Sequence, residues 1–305
     1  MKVFVTGASG FVGREVLQKL HDAGHRIRIL ARYSNSASVR AAIADFGVEV
    51  HAGDILYPAS LEAGLKDIDA VIHLVGIISE MGKSTFENVH VRGTENIVTA
   101  AKNSGVRRLG HMSALGTRPD AVARYHKTKW QAEEIVRRSE LDYTIFRPSI
   151  IYGPRDHFVN LFATISKFSP MLPIIGGGQS KLQPVPVSDV AACFVRALTE
   201  PRSIGQTYDL CGADVLSFEN ILEEILRVTG RKRLKMHLPV NFSRGLAAFL
   251  EFYFPLVANK APPLNRDQII MLDEDNVGSA QPANELFGLK PIPFREGISA
   301  YLKHA

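Results

Sequence analysis

The stretch Thr6-Gly7-Ala8-Ser9-Gly10-Phe11-Val12-Gly13 joins a short apolar run, Lys2–Thr6, to a helical pattern through Phe11–His21. Glycines at this spacing permit a tight turn, let backbone N–H groups approach a pyrophosphate, and allow the helix to pack closely on the strand it follows. The helix N-terminus also favours negative charge. A glycine pattern alone is a weak signal. Between a strand and a helix at the head of a βαβ series it reads as a dinucleotide site, with Gly7, Ser9, Gly10, Phe11, Val12 and Gly13 as its contacts.

The rhythm continues outward from that turn. Arg26–Ala31, Val48–His51, Asp69–Val75, Arg107–Met112 and Asp142–Phe146 read as strands. Between them Ala37–Phe46, Phe86–Asn103 and Tyr125–Arg138 carry apolar residues three and four apart, the helical period. Strands and helices alternating at this length imply right-handed βαβ units and a parallel sheet covered on both faces. The expected fold is doubly wound α/β. After Pro148 prolines and glycines interrupt the pattern. Val185–Val187 and Gln206–Leu210 read as strands flanking a helix at Asp189–Leu198, and Phe218–Val228, Arg244–Phe254 and Arg266–Leu272 as helices, the last capped by Asn265. The expected organisation is a nucleotide domain over 1–155, to which 183–212 return, and a smaller α-rich substrate or partner lobe over 156–182 and 213–305.

Composition narrows the class. The chain has 305 residues, 46% hydrophobic and 22% charged, with 36 Lys+Arg against 31 Asp+Glu. That excludes wholesale disorder, a collagen-like chain and a disulfide scaffold. Cys193 and Cys211 lie in apolar stretches and read as buried thiols of a reducing compartment, without the company a metal site needs. No secretory signal or membrane-spanning run is evident, so a cytoplasmic protein is expected. The one dense basic cluster, Arg231-Lys232-Arg233 with Lys235, reads as a solvated turn, and nucleic acid is not an expected partner. Phe242–Leu256 reads as a buried helix of the second lobe; the other reading lays it on a membrane surface.

The cofactor is read at the end of the second strand. An acidic residue there would bond a ribose 2′-hydroxyl and repel a 2′-phosphate. The chain instead has Arg32, a forked donor suited to phosphate, with Ser34 following and Arg14 nearby in the first helix. NADP(H) is expected over NAD(H). Asp54 and Ile55 after the third strand are placed for the adenine, and Leu74-Val75-Gly76 after the fourth for the path beneath the cofactor. Tyr125 and Lys129 are four apart, on one helix face. An ammonium beside a phenol favours its ionised form, making the tyrosine a usable acid/base for hydroxyl–carbonyl interconversion.

Taken together, these motifs resemble the extended short-chain dehydrogenase/reductase superfamily: TGASGFVG at 6–13, YHKTK at 125–129, FRPSIIYGP at 146–154 and VPVSDVA at 185–191. The resemblance implies a Rossmann fold, an NAD(P)-dependent oxidoreductase or epimerase/dehydratase acting on a small-molecule substrate, and Pro148 and Ile151 behind the nicotinamide. If the chain is such an enzyme, its substrate is expected between Tyr125 and the second lobe, against Tyr152, His157 and Gly176–Gln179. More narrowly, ARYHKTKWQAEEIV at 123–136 and PPLNRDQIIMLDEDNV at 262–277 are similar to atypical members such as the accessory subunit of respiratory complex I. Those members bind NADPH, which implies, as the alternative, a non-catalytic nucleotide-binding subunit or assembly factor linked to a respiratory complex or quinone. Two departures bear on the choice. Active members carry paired hydroxyl residues after the fifth strand where this chain has Ser113-Ala114, and an Asn three residues before Gly93-Thr94 where it has His90. Ser113 is therefore the candidate third catalytic residue, one position early, beside Tyr125 and Lys129.

Overall fold

The first half of the chain builds one sheet strand by strand. The computed structural model describes residues 1–258 and 261–302. Its elements run β1 (Lys2–Thr6), α1 (Phe11–Asp22), β2 (Arg26–Ala31), α2 (Ala37–Phe46), β3 (Glu49–Ala52), α3 (Glu62–Leu65), β4 (Ala70–His73), α4 (Gly93–Asn103), β5 (Arg108–Met112), α5 (Arg124–Arg137) and β6 (Asp142–Pro148). β7 (Ile151–Tyr152), α6 (Val159–Phe168), β8 (Met171–Ile175), β9 (Lys181–Leu182), β10 (Val185–Pro186), α7 (Val187–Ala197) and β11 (Gln206–Leu210) follow. The sheet has seven strands in the order β11-β6-β5-β4-β1-β2-β3, all parallel. This is a Rossmann-type doubly wound sheet. The order reverses between β1 and β4, so a crevice opens at their C-terminal ends, beyond Thr6 and His73.

Alternation along β1 divides the core. Val3 and Val5 face a cluster with Val16, Leu20, Ile29 and Phe194, where α1 packs against α7. Phe4 faces the other side, with Val71, Ile97, Leu109 and Ile145 beneath α3, α4 and α5. Burial on both faces explains why these strands read as nearly continuous apolar runs.

The remaining elements are β12 (Leu216–Ser217), α8 (Phe218–Val228), β13 (Leu234–Leu238), α9 (Val240–Ala258), α10 (Arg266–Asp273), α11 (Gln281–Phe287) and α12 (Phe294–Leu302). A third core of Val159, Leu172, Ile174, Phe218, Ile221 and Ile298 lies among α6, α8 and α12. β11 returns to the main sheet beside β6, whereas β10 pairs only with β7. β8 and β13 form a parallel ribbon that the Pro-rich sequence does not announce. Phe86–Asn103 is divided, with a π-helical turn at Glu87–Arg92 preceding α4. Asn265 caps α10 in a full capping box with Gln268.

The expectation of a buried helix at Phe242–Leu256 is corrected. Phe242 is 60% exposed, Phe249 57% and Phe252 72%, while Ser243 and Ala247 are buried. α9 packs through its small residues and through the Glu251–Arg266 ion pair at 2.8 Å, which leaves its large side chains outside. Among the described residues no helix is long and apolar enough to cross a membrane.

Candidate functional site

Gly7 follows β1 with φ +74°, a left-handed conformation that glycine adopts without strain. At Gly13 a Cβ would lie 2.2 Å from the Gly7 carbonyl oxygen and 2.7 Å from Ala8 Cα, so only glycine lets α1 start against the turn. Gly10 is the N-cap and offers no side chain to the helix. Among the described residues the amides of Phe11, Val12 and Gly13 donate to no protein group. Three unspent N–H groups at a helix N-terminus fit a pyrophosphate.

The turn borders a cleft of about 330 Å³, whereas Phe11 lines a separate groove and Val12 and Gly13 lie off the cleft wall. Gly7, Ser9, Gly10, Arg32, Asp54, Ile55, Leu74, Val75 and Gly76 all lie on its walls. Arg32 is exposed and makes no hydrogen bond or ion pair among the described residues. Arg14, by contrast, is committed to Asp45 and lies over the Phe46 ring at 5.2 Å. Ser34 is exposed and off the wall. Ser36 is on it, and its hydroxyl accepts from the Val39 amide at the head of α2. The sequence carried that signal as an N-cap serine just before the Ala37 helix. Tyr33, Gly53, Ile77, Ser84 and Val89 also line it and were not read from the sequence. The Asp54 carboxylate accepts from the Leu56 amide at 3.0 Å.

Gly76 connects the cleft to the Tyr125–Lys129 pair, since a Cβ there would lie 3.0 Å from Lys129 Nζ. Lys129 is 2% exposed and donates to the Met112 carbonyl at 2.9 Å. Burial lowers its pKa to about 8, opposed by the Glu133 carboxylate. Tyr125 is half-buried, edge-on to Phe86 at 5.9 Å and His90 at 5.3 Å. Burial pushes its phenol up to about 12, the opposite direction from the activation expected of a nearby ammonium. Among the described residues the phenol oxygen has no hydrogen-bond partner.

Ser113 is buried and donates to Thr117 Oγ1 at 3.4 Å, and it makes no hydrogen bond with Tyr125. His90 Nε2 lies 3.1 Å from both the amide and the carbonyl of Ile77, and Nδ1 lies 2.9 Å from Thr128 Oγ1. It thereby ties the strand end lining the cleft to α5. Beneath it His73 bridges Thr6, at 2.7 Å, and Thr94, at 3.3 Å, and stacks on His111 at 5.5 Å. Both ring nitrogens of His111 are buried without a partner. Burial, reinforced by the Lys129 ammonium, holds His73 at about 3 and His90 at about 2.

The other residues expected here are dispersed. Pro148 is buried at the end of β6, its carbonyl accepting from the Leu115 amide, and Ile151 pairs with Val185. Neither borders the cleft. Tyr152 is buried in the third core against Phe294 at 5.1 Å. His157 lines an open groove with Arg14 and Arg155 on the far side of the glycine turn. Gly176 lies against Val240 and Gly178 against Ile174.

A second set of bonds fixes the outer wall. Asn265 Nδ2 donates to the Ile78 carbonyl at 2.7 Å and to Ser79 Oγ at 3.1 Å. Arg124 pairs with Glu80 at 2.8 Å. The loop after β4, which contributes Ile77 and Ser84 to the cleft, is thus pinned by α5 and by the segment leading into α10.

Comparisons with known proteins agree with this geometry. A family profile described as NAD(P)H-binding matches residues 7–201. The mitochondrial NADH dehydrogenase [ubiquinone] 1 alpha subcomplex subunit 9 of Arabidopsis thaliana is 32% identical over 89% of this chain and 68% of its own length. A ceramide reductase of Caulobacter vibrioides is 32% identical over 78% of this chain and 73% of its own. The structure of a UDP-glucuronic acid 4-epimerase from Bacillus cereus, solved with NAD, superposes with a TM-score of 0.76 across 100% of this chain and 99% of that one. At 20% identity that likeness concerns the fold alone. The chain belongs to the NAD(P)H-binding family, with the short-chain dehydrogenase/reductase fold and kinship to the alpha subcomplex subunit 9 of NADH dehydrogenase.

Proposed function

We propose that this protein holds NADP(H) as a bound group, in the manner of an accessory subunit or assembly partner of an NADH:quinone oxidoreductase. The observation that carries this reading is the state of the residues meant for chemistry: Ser113 bonds Thr117, and Tyr125 is pushed up to about 12. A phenol so reluctant to ionise, without a hydroxyl beside it, polarises a carbonyl poorly. The nucleotide end keeps its open amides, and Arg32 and Ser36 supply donors for a 2′-phosphate where a carboxylate would have selected NAD(H). Tyr125 and Lys129 then act on the nicotinamide ribose as hydrogen-bond partners. In this reading 1–155 with 183–212 form the nucleotide unit, and 156–182 with 213–305 the lobe offered to a partner.

A second reading, an oxidoreductase or epimerase working at a hydroxyl or carbonyl carbon, is favoured by one observation: the Tyr125 phenol is unengaged and shares a helix with Lys129. Bound NADP(H) would supply the hydride chemistry. The ceramide reductase relative gives that reading a substrate class to screen. Tyr125→Phe separates the two. The held-nucleotide reading expects unchanged NADPH affinity, unchanged comigration with the membrane NADH dehydrogenase on native gels, and full rescue of a deletion strain. Preserved binding with lost rescue would establish the enzyme instead.

A further inference from the structure

α9 presents its apolar side to solvent. Phe242, Leu246, Phe249 and Tyr253 recur at intervals of four, three and four residues and so form one stripe along the helix. Phe252 and Val257 flank it, 72% and 64% exposed. The Phe249 and Tyr253 rings stack on each other at 5.4 Å and 12°. The opposite side is built from Ser243, Ala247 and the Glu251–Arg266 pair. This is the reverse of a core-facing amphipathic helix, and the stripe is covered by nothing among the described residues.

Charge indicates what covers it. Between Arg231 and Arg266 the sequence has seven Lys or Arg residues and one acidic residue, Glu251; Lys235 is met by Glu219 and Glu223 of α8 and Arg266 by Glu251, and the remaining cations leave the stretch basic. Lys232 and Arg244 are exposed and unpaired among the described residues. We propose that α9 seats this face in the headgroup–acyl boundary of a membrane containing anionic lipid, lying in the plane of the surface. Its 19 residues span about 28 Å, with Arg244 and Glu251 on the side away from the stripe. Aromatic rings suit that boundary, and the basic stretch meets the negative surface potential of the lipid. A second copy of the chain is the weaker occupant, because an isologous contact through this face would set one strongly basic stretch against another. The proposal does not depend on the nucleotide reading, since the stripe is separate from the cleft.

The test is co-sedimentation of the full chain with vesicles of equal phosphatidylglycerol and phosphatidylcholine, and with phosphatidylcholine alone. Binding to the anionic vesicles is expected to be at least about tenfold tighter and to weaken with salt. Phe249→Glu with Phe252→Glu places charge on exposed positions and is expected to weaken binding at least about tenfold, a change of about 1.4 kcal/mol. NADPH titration of the variant reports its folding and is expected to match wild type. Lys232→Glu is expected to reduce the preference for anionic lipid. Failure of the wild type to sediment, or equal sedimentation of the Phe variant, overturns the proposal. So does a wild-type dimer in light scattering that the Phe variant converts to monomer without change in lipid binding.

Discussion

His73, His90 and His111 are sealed in neutral form beneath the cleft, and moving the nucleotide-free protein from about pH 7 to about pH 5 measures what that arrangement costs. In the folded chain burial holds His73 at about 3, His90 at about 2 and His111 well below 6.5, and the Lys129 ammonium adds to each shift. Unfolded, each titrates near its ordinary 6.5. Below that value the unfolded chain takes up protons that the folded chain refuses. The histidines' contribution is therefore complete above 6.5 and is lost as pH falls toward the folded values. The slope approaches about 1.4 kcal/mol per pH unit for each ring. Integrated from about pH 7 to about pH 5 it gives about 2 kcal/mol for each of His73 and His90, about 4 kcal/mol for the two, and His111 adds a loss of the same sign. A domain's whole stability is about 5–15 kcal/mol. Urea unfolding at the two pH values, extrapolated linearly to water, reads the difference. His111→Phe isolates one ring: neither of its nitrogens is bonded, so the variant is expected to be near neutral at about pH 7 and to lose measurably less stability in acid than the wild type. A wild-type loss below about 2 kcal/mol, or an identical loss in His111→Phe, refutes the reasoning.

Other outcomes follow from single contacts. On the proposed NADP(H) reading, Arg32→Glu should weaken NADPH binding in calorimetry by at least about tenfold while leaving NADH within about threefold, because the guanidinium on the cleft wall is open to a phosphate. Gly13→Ala should lower stability by about 3 kcal/mol or more, seen as a fall in thermal midpoint, since its Cβ would meet the backbone of Gly7 and Ala8. Glu133 is fully buried and bonds Arg147 and Arg137, both at 2.6 Å; Glu133→Gln should cost about 3 kcal/mol in urea by leaving Arg147 without its carboxylate, while Arg137 keeps Glu134.

The nucleotide half was legible because its signals are local. Period-two and period-3.6 patterning located β1, β2, α2 and β11 to the residue, and strand–glycine–helix order pointed to the cleft wall. Ser36 escaped notice because its role depends on α2 being aimed into the cleft, which is a tertiary fact; the N-cap preference alone says only that a helix starts there. His90 and Ile77 are thirteen positions apart and meet only because the chain passes through a π-helical turn, a form with no dependable sequence signature. Ser113 could be doubted from Ala114 beside it, but its bond to Thr117 depends on how the loop after β5 folds back. α9 was misjudged because an apolar helix in a globular chain is ordinarily covered, and hydropathy does not reveal which face the small residues Ser243 and Ala247 turn inward.

The packing of α1 against α7 bears on how this protein is made. α1 ends at Asp22 and α7 begins at Val187, so well over a hundred residues separate surfaces that cover each other. At about 5–20 residues per second, α1 leaves the ribosome roughly ten to thirty seconds before its lid exists. Through that interval Val16, Leu17 and Leu20 remain wettable, and β6 is an unpaired edge until β11 arrives. A nascent or truncated chain stopping near residue 155 carries every glycine of the nucleotide turn and yet lacks the surfaces that hold the turn in place, so premature termination there releases a sticky, chaperone-dependent fragment and no miniature nucleotide binder.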